Sequence, residues 1–176
     1  MLDQRDSGIS DATRALITEA AGGGETSARW RSTISSGTLS RLVIGVTPGD
    51  WFSAALYEPT GDPAALWQGL GRGEIALSEV AAGRLGASAG DLVELPTVAG
   101  DRTFRVAGVF RPMMIDDTAV GDIVLAADSL ARSDWAAVRD RVAVRYGSAA
   151  EATSHRTDFL NLGSGLSVYD DAEWRT

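Results

Sequence analysis

The sequence predicts an α+β fold. Three observations lead there: an apolar run of strand type at Leu39–Val46, a helix followed by a turn and two strands within residues 74–110, and Ser-led helix starts at Ser10, Ser78 and Ser148. Helical and strand segments interleave along the whole chain, which excludes an all-helical or all-β architecture.

From the N-terminus, Ile9, Ala12, Leu16, Ile17 and Ala20 recur at helical spacing behind Ser10, and Gly22, Gly23 and Gly24 stop the run. A first helix is expected over residues 11–21. Residues 30–36 are polar and compatible with a strand, and LSRLVIGV at Leu39–Val46 is apolar on both faces, as a buried strand is. Thr47, Pro48, Gly49 and Asp50 then form a turn. Residues 51–73 are broken by Pro59, Gly61, Pro63, Gly69, Gly71 and Gly73 before either period is established, and read as mostly loop with a short helix near residues 64–70.

Residues 74–77 read as a strand, and Ser78 caps a helix with Val80, Ala81 and Leu85 on one face and Gly86 at its end. Gly90 and Asp91 turn the chain into a strand with Val93 and Leu95 on one face. After the connection at residues 96–101, Phe104, Val106 and Phe110 alternate with Thr103 and Arg105, which makes a hairpin. A strand over residues 120–125, a helix over 128–138 and a strand over 141–146 with Val142, Val144 and Tyr146 inward come next. Ser148 and Glu151 form a capping box for a helix reaching about Asn161, Gly163 and Gly165 end it, and residues 166–169 read as a last strand.

At 176 residues the chain suits one domain or two small subdomains, and 44% hydrophobic with 23% charged residues is ordinary for a globular protein. Sixteen basic against 24 acidic side chains leave a net charge of −8, which opposes binding to nucleic acid phosphates. All the cations are Arg and none is Lys, a bias expected of a GC-rich, actinobacterial-type genome and of little mechanistic meaning. The absence of Cys excludes disulfides and thiolate chemistry. No window approaches the roughly 20 apolar residues of a membrane helix, and the N-terminus MLDQRDSG lacks signal-peptide regions. As it stands the sequence is expected to be soluble, and a segment excised from a larger protein would look the same.

No catalytic constellation stands out. His155, the only His, has Ser154 and Asp158 nearby but lies along the apolar edge of its helix, so it reads as a packed boundary residue rather than a triad member. Asp116, Asp117 and Asp122 could gather a hard cation, yet their spacing matches no known loop, and they read as surface turns. The glycines at residues 22–24 and 69–73 contain neither a GxGxxG after a strand nor the Lys of a Walker loop. LPTVAG at residues 95–100 is read as a hairpin connection. Trp30, Trp51, Trp67, Trp135 and Trp174 share no spacing and are expected as packing anchors. Met113, Met114 and Ile115 form an apolar tip that either contacts a partner or folds back onto the core. No metal or cofactor is expected.

In residues 73–110, the segments GEIALSE, AAGRLGASAGDLVEL and TFRVAGVF follow one another in order, and DRVAVRY stands at residues 140–146. This series resembles the extracytoplasmic core domain of FtsX-like and MacB-like permeases of ABC transporters, over about residues 39–169. Pieces of it also resemble AbrB-type DNA-binding hairpins and double-psi barrels, but an AbrB-type reader needs a basic face. The resemblance implies a membrane-proximal βαβ-containing subdomain, about residues 1–55 with 140–176, and a smaller, mostly β subdomain inserted in it, about residues 56–139. It implies a non-catalytic segment lying outside the cell membrane, in a permease that couples ATP hydrolysis by a separate ATP-binding subunit to the handling of substrate or of an extracytoplasmic partner protein. A second permease copy is a further implied partner. Two other readings stay open: a soluble barrel-containing enzyme using Asp and Ser side chains, and a free adaptor module binding through Met113, Met114 and Ile115.

Overall fold

A computed structural model describes residues 2–3, 8–36, 39–97, 99–113, 121–132, 135–163 and 166–170. In chain order the elements are β1 (Leu2–Asp3), α1 (Asp11–Ala20), β2 (Glu25–Ser36), β3 (Leu39–Val46), α2 (Trp51–Leu56), β4 (Tyr57–Pro59), α3 (Pro63–Gly71), β5 (Ile75–Ser78), α4 (Glu79–Leu85), β6 (Leu92–Thr97), β7 (Gly100–Pro112), β8 (Ile123–Ala126), α5 (Ala127–Ala131), β9 (Val138–Arg145), α6 (Ala149–Leu160) and β10 (Ser167–Val168). The α+β class expected from the sequence is the class observed. The chain divides into two compact units: Met1–Arg29 with Val138–Thr176, and Trp30–Ala137.

In the first unit the strand order is β10, β1, β9, β2, with β1 antiparallel to both β9 and β10. A helix follows β1 and another follows β9. Numbered within the unit, the strands run 4-1-3-2, which is the split βαβ arrangement of ferredoxin-like folds. Its core joins both helices to the sheet: Ile17 of α1 and Phe159 of α6 meet Ile9, Ala21 and Val142. The Ser10 hydroxyl accepts from the Thr13 N–H at 3.1 Å to start α1. The Ser148 hydroxyl does the same for Glu151 at 3.2 Å, while the Glu151 carboxylate reaches back to the Gly147 N–H, one residue beyond the usual capping-box donor.

The second unit is a mixed sheet. The distal part of β2 runs antiparallel to β3 from Trp30 opposite Gly45 to Ser36 opposite Leu39, and β3 lies parallel to β8. β5 is antiparallel to β8 and parallel to β7, whose 13 residues serve three partners: β6 at residues 100–105, β5 from Val106 to Phe110, and β4 at residues 110–112. Every residue of β5 and β8 is buried, as interior strands covered on both faces require. Ser78 caps α4 by accepting from the Ala81 N–H, and Gly86 ends it in the left-handed region at φ 62°, where a Cβ is disfavoured. The helix α3 lies so close on β7 that a Cβ at Gly69 would stand 2.5 Å from the Ala107 Cβ.

Residues 51–73 hold the short helix expected near residues 64–70, as α3, and before it α2 and β4, where a loop is expected. Asp50 and Asp62 are the N-caps that the glycines and prolines obscured, accepting from the N–H groups of Ser53 and Ala64, and Pro63 sits at the first turn, where its missing N–H does no harm. The helix expected over 128–138 is shorter, ending at Ala131. Trp135 leaves helical geometry to give its indole N–H to the Pro96 carbonyl at 2.8 Å and to stack on Phe104, a long-range tether with no local signal. No sequence signal marks the two-residue β1, and β2 begins five residues before the expected strand.

Candidate functional site

β4 is the edge strand of its sheet, and β7 ends beside it. Tyr57 and Phe110 are both buried and meet edge to face with ring centroids 5.0 Å apart, which anchors this pairing from below. The Met113 N–H donates to the Leu56 carbonyl at 3.0 Å, extending the pairing by one residue. That bond holds Met113 at the edge with its side chain outward, 53% exposed. Met114 and Ile115 lie outside the described residues, as do Asp116 and Asp117.

Two residues before Met113, the exposed Arg111 spans two carboxylates. Its guanidinium donates to Glu79 at 3.2 and 3.4 Å and stands 3.8 Å from Glu58. The hydrogen bond and charge of Glu79, followed by the charge of Glu58, hold the guanidinium above its ordinary pKa. The edge thus presents one thioether beside a charge cluster on a three-residue strand containing Pro59. Such an edge resists addition of a further strand, because Pro59 has no N–H to give. A partner using this surface would meet side chains rather than backbone.

The other sequence-level candidates have structural roles. His155 stacks on Tyr146 with rings 3° from parallel and centroids 5.0 Å apart, and its Nδ1 is 3.3 Å from Asp158. Asp122 accepts from the Ser78 hydroxyl at 3.3 Å and stands 3.8 Å from Arg41, fixing the β5–α4 junction to β8. A serine hydroxyl committed as a helix cap and to a carboxylate is not poised as a nucleophile. Among the described residues no three His, Asp or Glu side chains gather as a metal site. Trp135 is buried, Trp30 packs on the core of the second unit, Trp51 is tilted against Phe52, and Trp174 lies outside the described residues. Residues 95–100 form the end of the β6–β7 hairpin, with Thr97 opposite Gly100.

Sequence reasoning missed one pairing of consequence. Arg29 on β2 and Asp140 on β9 form a buried two-pronged ion pair, 1% and 3% exposed, through Nε to Oδ1 at 3.2 Å and Nη2 to Oδ2. Nothing local signals it, since the two residues are 111 positions apart.

No family model matches the chain, and no curated protein matches it. Solved structures do. The extracellular domain of the noncanonic ABC-type transporter YknZ from Gram-positive bacteria superposes with a TM-score of 0.54 at 14% identity, over 97% of this chain and 100% of that one. A domain of a protein described as a permease, from Porphyromonas gingivalis, gives a TM-score of 0.48 at 18% identity, over 94% of this chain and 77% of that one. The chain therefore has the fold of an ABC-type transporter's extracellular domain. At 14% identity the YknZ likeness establishes the fold alone.

Proposed function

We propose that this chain is a non-catalytic extracytoplasmic domain of a bacterial ABC-transporter permease of the FtsX and MacB type. The observation that carries the reading is the end-to-end match in fold with the YknZ extracellular domain, reached independently of the ordered segments at residues 73–110 that resemble the permease core domain. Both ends of the chain belong to the ferredoxin-like unit. In a permease that unit would adjoin the membrane helices, and residues 30–137 would form the insertion that meets substrate or a partner protein. ATP hydrolysis would belong to a separate subunit, with its closure passed through the membrane helices to this domain. Met113, and with it Met114 and Ile115, is the contact we assign to an extracytoplasmic partner, because an exposed thioether adapts to an apolar surface at little cost.

The test is biochemical. The natural gene product, purified from membranes in mild detergent, should bring with it a nucleotide-binding subunit whose ATPase activity rises in the complex. A product that fractionates without membranes, or that hydrolyses a substrate on its own, would contradict the reading.

A further inference from the structure

β2 and β9 are neighbours in the first unit's sheet, yet the whole of residues 30–137 intervenes between them. A hairpin fixes the register of its two strands through its short turn; a connection of this length fixes nothing. The alternation of apolar and polar residues normally does the rest. Here it is nearly silent, because the part of β2 in this unit reads ETSAR, with Ala28 its one apolar residue. A strand of this composition is prone to slip against its neighbour.

A second ion pair between these strands, Glu25 with Arg145, is more than half exposed and so weakly specifying, and it is the buried Arg29 and Asp140 that supply what the turn and the pattern lack. Both side chains are buried, and the guanidinium fork meets the carboxylate through two bonds, a geometry that one relative position of the strands satisfies. A slip by one residue turns one partner to the opposite face of the sheet and leaves two charges buried without each other. We propose that this pair is the register lock of the ferredoxin-like unit: a positioning device that specifies how β2 and β9 align across the insertion. Register specification is the best-attested use of buried polar groups, and the pair need not raise stability to fulfil it.

The test separates specificity from stability in this 176-residue chain. R29M/D140L replaces the ions with apolar side chains and should keep a cooperative melt within about 5 °C of the parent chain, since such replacements are often neutral or better. Its amide NMR spectrum should show a second set of resonances for residues 25–29 and 138–145, from slipped pairings. R29D/D140R, which reverses the charges, should return a single set. A single native-like set in R29M/D140L, or doubling that persists in R29D/D140R, overturns the proposal. Should R29M/D140L fail to fold, a folded R29D/D140R with one set of resonances supports the lock, and failure of both variants overturns it.

Discussion

Substituting alanine for Gly69 tests how closely α3 is seated on β7. The new Cβ would stand 2.5 Å from the Ala107 Cβ, 2.6 Å from Glu74 Oε2 and 3.3 Å from the Ala107 Cα. Carbon atoms rest at about 3.5–4.0 Å. The Glu74 carboxylate is the end of a flexible side chain and can swing away, but the Ala107 Cβ is fixed to the β7 backbone, so the helix must lift by about 1 Å. That movement loosens Leu66, whose side chain lies against Gly108 one residue further along β7. Overpacking of this kind costs about 1–3 kcal/mol, against a gain of about 0.5–1 kcal/mol from replacing a helical glycine by alanine. The difference, a net loss of up to about 2.5 kcal/mol and centred near ~1 kcal/mol, corresponds to a fall of up to about 10 °C in Tm for a chain of this size. Gly83 in α4 is the control: nothing lies within 4 Å of its Cβ position, so Gly83→Ala should raise Tm by about 1–4 °C. Thermal melts followed by circular dichroism compare the two directly. If Gly69→Ala raises Tm as Gly83→Ala does, the close helix–sheet contact does not exist and the packing of the second unit must be redrawn.

Asp140→Ala removes the carboxylate that takes two bonds from the buried Arg29 guanidinium and should lower stability by about 3–5 kcal/mol in urea unfolding, far more than any surface charge in this chain. Among the described residues the shielded Tyr146 hydroxyl has no hydrogen-bond partner, and burial, then the charges of Glu151 and Asp158, push its pKa above the ordinary value of 10.0. An acid whose folded pKa is raised contributes stability that is intact below pH 10 and lost as pH rises through the folded value. Because it removes a shielded hydroxyl that makes no hydrogen bond, Tyr146→Phe should match or exceed the parent by up to about 1 kcal/mol at neutral pH, and it should lessen the fall in Tm expected as pH rises above about 10. Met113→Ser should stay within about 0.5 kcal/mol of the parent by thermal melting, as an exposed position does, while weakening capture of an extracytoplasmic partner. A fall in Tm with partner capture intact would remove Met113 from the contact surface.

Much of the fold is legible where signals are local. Ser10, Ser78 and Ser148 announce their helices because a cap acts within three residues, and Gly86 stops α4 because its backbone needs the left-handed region. β3 and the β6–β7 hairpin are legible from their apolar patterns. Within residues 51–73 only α3 is legible, because α2, at six residues, and β4, at three, are too short to establish a period amid glycine and proline. The premature end of α5 is illegible for another reason: Trp135 answers to Pro96 and Phe104, which only the folded chain brings near. The same distance in sequence hides Arg29–Asp140, whose residue types mean nothing until β2 and β9 are adjacent. At the candidate site, an apolar tip at Met113 could be read from composition, but its fixation by the Leu56 carbonyl and the Glu79–Arg111–Glu58 cluster beside it required the pairing of β4 with β7.

A domain of a permease that lies outside the cytoplasmic membrane is reached by reagents that cannot cross that membrane. The chain has no cysteine, so a single Ala150→Cys on the exposed surface of α6 is a clean reporter within this segment. The natural gene product carrying it, with any thiols beyond this segment replaced, is treated with a membrane-impermeant maleimide in cells whose cytoplasmic membrane is intact. Labelling equal to that in lysed cells is the expected result; labelling that appears only after lysis would contradict an extracytoplasmic domain.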